Sequence, residues 1–537
     1  MCSNQRIPLL PVILFAGMSL FSCNLIGHRE NHGASPTGLS DEKLLDTLQH
    51  ATIRYFWDSA HPVSGMAPER STTPNTVTTG GSGFGISCIV VGVSRGWINR
   101  DSAVKRLLKI TGFLAHADRY HGAWSHWMNG TTGKTIPFSP KDDGGDLVET
   151  AYMINGLLIA RQYFNGPNPE EEKLRQEIDR LWLSVDWNWY TKGHSDTLFW
   201  HWSPRYGWAM NFPIRGFNEC LITYILALSS PTHPIDTAVY DHTWVNSPDF
   251  LNGHRYLGYT LSVGFPYGGP LFFTQYSFLG LDPRQMQDQY TNYWDRNVTQ
   301  TLINHDYCAY HSPSTYHYSA RDWGLTASDQ PHGYSAHSPT NDNGTITPTA
   351  ALSAFPYTPY YSMQALRYFY DSLHSQLWGP CGFYDAFNLK DNWFSRQYLA
   401  IDEGPIPVMI ENYRSGLPWK LFMSIPEILV GMGRVNIDIP QYSPGFYLAE
   451  TDRATGRMDM LRSPDLDKYV LDFYAGDIIP VTLSLYRGHK QFGILVDHQV
   501  FPRGRQELIF GNGIPRGKYM VKFEQGEIRD SLKIDLH

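Results

Sequence analysis

A chain of 537 residues exceeds one small core and has room for a large domain and an accessory one. Its net charge of −8 and pI near 6.2 leave no basic surface for nucleic acid. Charged residues make up only 18% and aromatics 14%. Much of that aromatic excess sits in polar, Gly-rich stretches such as HGAWSHWMNGTTG and DTLFWHWSPRYGW, outside the apolar periodic runs that build cores. Rings in such settings are expected as exposed platforms for flat ligands with apolar faces, such as sugars.

In chain order, residues 1–22 read as an export signal: Arg6 precedes the apolar run IPLLPVILFAGMSLF, too short to span a bilayer as a stable helix. Leu20-Phe21-Ser22-Cys23 resembles a bacterial lipoprotein processing site, with Cys23 the acylated residue. Residues 23–39 are polar and read as a tether. The expected location is a bacterial membrane, periplasmic or cell-surface, with the protein a monomer held by its lipid. The remaining cysteines, Cys88, Cys220, Cys308 and Cys381, are widely spaced without a CxxC pair, which predicts neither a metal site nor a disulfide framework, and no cofactor motif appears.

From residue 40 to 437 the sequence alternates helix-period apolar runs with Gly, Pro and aromatic loops. Ser40 is placed to cap the first helix, with acids in its first turn. The run at 169–190 is amphipathic, whereas 221–229 is apolar throughout. That contrast predicts a mainly α protein with buried inner and half-exposed outer helices, a toroid of helical hairpins (an α/α barrel), with an irregular α-bundle as the alternative. GGSGFG at 80–85 reads as a loop entering a helix over 84–97. Residues 438–537 contain short β-prone runs (KYVLDFYA, IIPVTLSLYRG, KYMVKFEQG) and predict a small β-sandwich.

Three loops place acids at the starts of apolar helices. In KDDGGDLVETAYMINGLL, Asp146 lies at the helix start and Glu149 shares its face. In PIRGFNECLITYILALSS, Asn218 is the expected cap and Glu219 opens the helix. In YLAIDEGPIPVMIENYRSG, Asp402 and Glu403 precede Gly404-Pro405, with the proline suited to the first helical position. Any one such acid is ordinarily a cap or a dipole partner. If successive inner helices run the same way, however, their starts gather at one rim and the acids converge. Convergent carboxylates without basic or metal-ligand partners suit hydrolysis of an acetal, which needs one protonated acid and one carboxylate. HExxH, GxSxG and P-loop motifs are absent. The His-rich stretch around His305, His311, His317, His332 and His337 lacks ligand spacing and reads as a substrate loop.

NWFSRQYLAIDEGPIPVMIENYRSGLPWKLFM, GGSGFGISCIVVGVSRGWINR and DGGDLVETAYMINGLL together resemble glycoside hydrolase family 144 over residues 40–435. The resemblance implies an (α/α)6 barrel, no metal, and endo-acting hydrolysis of linear β-1,2-glucan with inversion. Position by position it matches the family's acids to Asp146, Glu149, Glu219 and Asp402. Glu219 is assigned as general acid, because its apolar helix should raise its pKa. Asp402 is assigned as base, acting on water directly or through a substrate hydroxyl, with Asp146 and Glu149 orienting sugar and water. Sugar contacts are expected from Arg70, His126, Trp127, Trp200, His201, Trp202, Tyr398, Glu403, Glu411, Asn412, Tyr413 and Arg414. Two alternatives stay open: an exo-acting or other-linkage β-glucosidase on the same barrel, and a non-catalytic glycan-binding surface lipoprotein.

Overall fold

The computed structural model describes residues 38–439 and, beyond them, 445–446, 457–460, 462–463, 468–475, 479–501, 504–511 and 513–536. The expected signal segment, Cys23 and the tether up to residue 37 lie outside the described residues. The main helices are α1 (Asp41–Trp57), α2 (Thr79–Ser94), α3 (Arg100–His116), α4 (Leu147–Tyr163), α5 (Pro169–Leu183), α6 (Leu221–Ser229), α7 (Tyr293–Asp306), α8 (Pro348–Leu352), α9 (Pro359–Asp371) and α10 (Pro405–Arg414).

Local signals start the outer helices. Ser40 caps α1 by accepting from Lys43 N, Asn99 caps α3, and Asn168 caps α5 ahead of Pro169. Helices α1, α3, α5 and α9 each bury one face. By contrast α2, α4 and α6 are buried on every side over most of their length. Half-buried and buried helices alternate along the chain, and the result is the two-layer (α/α)6 barrel.

GGSGFG is not a loop: α2 begins at Thr79 and takes all four glycines into its first two turns. Their role is close approach. A Cβ on Gly83 would lie 2.3 Å from Tyr152 O, and one on Gly156 would lie 2.0 Å from Gly83 O. Backbone therefore meets backbone where α2 crosses α4, and the conformational cost of glycine in a helix interior is offset by that contact. The direction of packing is also set here. Gly80 faces Glu149 and Gly83 faces Gly156, so α2 and α4 run parallel. Gly81 faces Ala400 while Gly404 faces Phe84, so the 400–404 segment runs parallel to α2 as well. The starts of these inner elements thus gather at one rim.

Two further departures are local. TQYSFLGLD forms 3-10 turns (Leu271–Thr274, Ser277–Leu279) in place of a helix. The run from 349 to 371 splits into α8 and α9 around Pro356 and Pro359, since neither proline can continue the preceding helix. Cys88, Cys220, Cys308 and Cys381 are free and buried.

At the rim, short strands tie the loops together. β1 (Thr76–Thr78) pairs with β2 (Trp127–Asn129), β3 (Gly145–Asp146) pairs with β4 (His201–Trp202), and β5 (Ala327–Gln330) forms a hairpin with β6 (Gly333–Ala336). After the last barrel helix, Pro426–Gly433, the regular elements among the described residues are strands. β7 (Arg457–Met460), β8 (Lys468–Ala475), β9 (Val481–Arg487), β10 (Lys490–Gln499), β11 (Gly504–Phe510), β12 (Gly517–Gln525) and β13 (Ile528–Leu536) fall into two sheets. One runs β7-β13-β12-β9-β10 and the other has β8 paired with β11. Leu471 and Phe473 of one sheet share a core with Leu483, Val521 and Phe523 of the other, so the sheets stack as a sandwich.

Gly156→Ala would drive a methyl into the backbone of α2, and overpacking of this kind costs about 1–3 kcal/mol. Thermal unfolding followed by scanning fluorimetry is expected to show a lower Tm for this variant, while Gly112→Ala, where a Cβ meets nothing, leaves it unchanged or higher.

Candidate active site

Asp146 caps α4, its Oδ1 accepting from Val148 N at 3.0 Å and Glu149 N at 2.9 Å. Its Oδ2 lies 3.1 Å from His126 Nδ1 and 3.8 Å from His201 Nδ1. Both histidines arrive through the rim strands: His126 immediately precedes β2, and His201 pairs with Asp146 across β3–β4. The adjacent Gly144-Gly145 permits this. A Cβ on Gly144 would meet Trp202 O at 2.2 Å, and one on Gly145 would meet the Tyr190 hydroxyl at 1.9 Å. Glu149 lies one turn on, its Oε2 accepting from Gly80 N at 2.6 Å and its Oε1 3.9 Å from His126 Nε2.

These groups are charged unequally. Burial alone would lower the His126 imidazole, but Glu149, Asp146 and Asp142 overcome it and raise it to about 9. Burial would raise Asp146, yet the His126 hydrogen bond and the charges of His201 and His126 hold it below the ordinary carboxylate value. Glu149 moves up, chiefly through burial, with His126 pulling back. His126, Asp142 and Asp146 are the metal-capable cluster among the described residues. With His126 an imidazolium paired to Asp146, its Nδ1 is a donor to carboxylate and offers no lone pair.

Glu219 stands in the turn before α6, which begins at Leu221. Asn218 accepts from Cys220 N at 3.0 Å and so closes this turn, leaving the helix itself without a side-chain cap. Glu219 Oε2 is buried without a hydrogen-bond partner, and burial raises the carboxyl to about 7. A half-protonated glutamic acid at neutral pH matches a general acid.

Asp402 and Glu403 are not caps. They lie within a helical turn, Ala400–Glu403, which leads through Gly404 into α10 with Pro405 at its first position. Both carboxyls are buried, and burial, with the Asp385 charge behind it, raises both well above the ordinary range. The Tyr276 hydroxyl donates to Asp402 Oδ1 at 3.3 Å and lies in the field of Glu219.

The sequence reading missed three groups. Asp385 adds its charge to the field at Asp402 and is itself raised to about 7 by burial and by Asp329. Asp329, on β5, donates through its backbone N–H to Asp385 Oδ2 at 2.8 Å and pairs its carboxylate with Arg70 at 3.1 Å. Tyr334, on β6, is half-exposed and lies in the field of Asp402, Asp385 and Asp329. None stands at the start of a long helix. Asp385 follows the strand pair around Gly382–Phe383, and the other two belong to a hairpin of two four-residue strands, so the rule that found the first acids passed over them.

Of the expected sugar contacts, Trp127 is half-buried with Phe138 edge-on at 4.8 Å, and Trp200 clusters with His201 and Phe212, their ring centroids 5.5, 5.7 and 6.3 Å apart. Phe138 and Phe212 are half-exposed, so these pairs offer open ring faces close to Asp146. Trp202 packs beside Tyr120 and His121. Arg70 bridges Glu69 and Asp329 and keeps part of its guanidinium exposed.

The α10 group is corrected. Arg414 pairs with Glu42 and Asp46 and donates to Gln49 of α1. Glu411 pairs with Arg95 at 2.7 Å, and Asn412 donates to Leu279 O and accepts from Trp419 N. Tyr413 packs on Phe355. These four lie two turns down the helix from the rim, and their partners belong to the helix layers. Tyr398 is likewise buried, its hydroxyl accepting from Cys381 N between Tyr55 and Tyr384.

Comparison with known proteins agrees with this geometry. Residues 211–426 match a family model described as "Putative glucoamylase". A Bacteroides uniformis structure described in the same words is 55% identical, covering 75% of this chain and 98% of that one, with a TM-score of 0.74. An endo-β-1,2-glucanase from Chitinophaga pinensis, solved with sophorotriose and glucose, is 49% identical over 75% of this chain and 99% of that one (TM-score 0.72). An exo β-1,2-glucooligosaccharide sophorohydrolase acting at the non-reducing end, from Parabacteroides distasonis, is 45% identical over 437 residues. That match takes in 77% of this chain, and the chain spans 61% of the relative's length. An endo-β-1,2-glucanase of Talaromyces funiculosus, at 11% identity and a TM-score of 0.52, shares the fold. The fold is that of the helical-barrel glycoside hydrolases, and the site gathers buried carboxyls at one rim. The chain belongs to the glucoamylase-like family its motifs resemble, glycoside hydrolase family 144.

Two outcomes follow. Glu219, Asp385, Asp402, Glu403 and His126 all have folded pKa values above their unfolded ones, so the native state keeps protons that the unfolded chain releases. Stability therefore falls as pH rises from about 5 to about 9. Asp322, buried with neither oxygen partnered and also raised by burial, adds to this, so Asp322→Asn flattens the fall in Tm measured across that range. Arg414→Ala, in turn, lowers Tm through the lost α1 anchor and leaves KM unchanged.

Proposed function

We propose that the protein hydrolyses β-1,2-linked glucan, as an endo-acting, inverting enzyme, with Glu219 as general acid and Asp402 as base. One observation carries this reading: a glutamate whose Oε2 is buried without a partner, its carboxyl raised to about 7, shares a rim furnished with open aromatic faces with a second carboxyl that accepts from the Tyr276 hydroxyl. Glu219 gives its proton to the glycosidic oxygen as the bond breaks. Asp402 takes a proton from the attacking water, directly or through a substrate hydroxyl. The oxygen gained at the anomeric carbon comes from the opposite face, hence inversion. Asp146, held ionised by His126, and Glu149, fixed by Gly80 N–H, orient sugar and water, and Trp127, Phe138, Trp200 and Phe212 stack on pyranose rings.

The similarity to both an endo-glucanase and an exo-sophorohydrolase supports the β-1,2 linkage and gives the exo mode a place as second reading. The lipoprotein-like signal and Cys23 support a place on a bacterial membrane, at the cell surface or in the periplasm.

The test is incubation with β-1,2-, β-1,3-, β-1,4- and β-1,6-glucans followed by chromatography and by NMR of the first anomer formed. A ladder of short β-1,2-oligosaccharides released as the α-anomer is expected; disaccharide alone from the first minutes would select the exo reading. Glu219→Gln and Asp402→Asn should each lower kcat by about 10²–10⁴-fold, the range general acid–base groups supply. Wild-type inactivity on every β-1,2-glucan would overturn the substrate, and a variant near wild-type turnover would overturn that residue's role.

A further inference from the structure

An aromatic cluster beside Asp146 takes no part in the chemistry proposed above. Arg119–Tyr120 and Ala123–Trp124 form a tight hairpin whose corner residues, His121 and Gly122, both take the left-handed conformation (φ 51° and 84°). A Cβ on Gly122 would lie 2.1 Å from Ser184 O, so the corner is pressed onto the end of α5 and only glycine fits there. The corner lays the His121 imidazole flat on Trp189, ring centroids 3.7 Å apart at 16°. Trp202 stands nearly perpendicular to both rings, 5.0 Å from His121 and 6.4 Å from Trp189.

Hydrogen bonds hold these rings in place. Trp189 lies in a 3-10 turn, Trp187–Thr191, tied down by Asp186. The Asp186 side chain accepts from Trp189 N at 3.0 Å, and its N–H donates to His121 O at 3.1 Å. The neighbouring Trp187 and Tyr190 are buried, the Tyr190 hydroxyl donating to Tyr120 O at 2.9 Å. Trp189 is turned the other way, and even with His121 stacked on it the residue is 36% exposed. A tryptophan held this firmly loses little freedom on binding and gains by being covered. Partial burial lowers the pKa of His121, against the charge of Asp186, so near neutral pH the imidazole is an uncharged ring.

Resting on the functional reading above, we propose that Trp189, backed by His121 and flanked by Trp202, is an outer subsite that stacks one glucosyl ring of a long glucan chain. Position selects this occupant. Trp202 pairs with Gly145 across β3–β4, next to the His201–Asp146 pair, so the cluster continues from the acid rim. The other side chains of the same turn are polar: Asn188 is hydrogen-bonded to His194, and Lys192 to Asn211. A flat apolar face within a rim of donors and acceptors matches a pyranose, whose C–H faces are apolar and whose edge carries hydroxyls. A membrane or a protein partner would instead call for a contiguous apolar area. Lying outside the bond that is cleaved, the subsite adds binding only for chains long enough to reach it, and so favours polymer over short oligosaccharides.

The test compares kcat/KM on β-1,2-glucan polymer and on the shortest β-1,2-oligosaccharide the enzyme cleaves. Trp189→Ala is expected to lower the value on polymer about three- to tenfold further than on the short substrate, the range one aromatic stack supplies. Trp189→Phe keeps a ring and restores most of that difference. A ring that only packs the loop would lower both values alike. Affinity electrophoresis gives a readout without turnover: Glu219→Gln, with and without Trp189→Ala, is run through gels containing soluble β-1,2-, β-1,3-, β-1,4- or β-1,6-glucan. Retardation by β-1,2-glucan that Trp189→Ala weakens is expected. Equal losses on polymer and short substrate, or no glucan whose retardation depends on Trp189, overturns the subsite. If the wild type cleaves no β-1,2-glucan while any of these glucans retards the protein through Trp189, the functional reading falls and the subsite stands.

Discussion

The site depends on a contact that carries no chemistry: the crossing of α2 and α4 through Gly83 and Gly156. Because backbone meets backbone there, the two helices lie parallel and close, with their starts level at one rim. Gly81 and Gly404 extend the same register to the segment bearing Asp402. The acids can then be supplied by separate loops, each fixed by the helix it enters. Moving one inner helix by a turn would shift its acid by about 5.4 Å and take it out of reach of the others.

Convergence has a physical consequence. Carboxyls brought together in a dry rim cannot all ionise, and the fold divides them. On one flank Asp146 is kept charged by two histidines and two backbone N–H groups. On the other, Glu219, Asp385, Asp402 and Glu403 have too few donors and are pushed toward the protonated form. One fold thus supplies both a fixed negative charge and groups ready to exchange protons near neutrality, which is what acid–base cleavage of an acetal demands. The orphaned oxygens that mark this flank are costly to bury, and they are concentrated where the chemistry takes place.

Much of this was legible in the sequence, for stated reasons. Inner and outer helices differ in apolar periodicity, so 169–190 and 221–229 read as different layers, and they are. Asp146 and Glu149 announced themselves by standing after Gly-Gly at the start of a long apolar run. Glycines within α2 were misread because their local preference is for loops, and only the partner helix makes them sensible in a helix. Asp385, Asp329 and Tyr334 were invisible because short strands carry almost no periodic signal. The group from Glu411 to Arg414 failed in the opposite way. It belongs to a strong motif, but the motif's own helix carries it away from the rim to hold α1 and α2.

That last contrast bears on what a family motif means physically. The stretch from Asp402 to Arg414 is one continuous run, yet its first members are buried acids at the rim and its last members fix the helix that positions them. Glu411 pairs with Arg95 at the C-terminal end of α2, while the turn bearing Asp402 packs against the start of that same helix. The two ends of the motif therefore clamp α2 along its length. A substitution at one end removes a buried acid from the rim, and one at the other loosens the anchoring of the helix that places it.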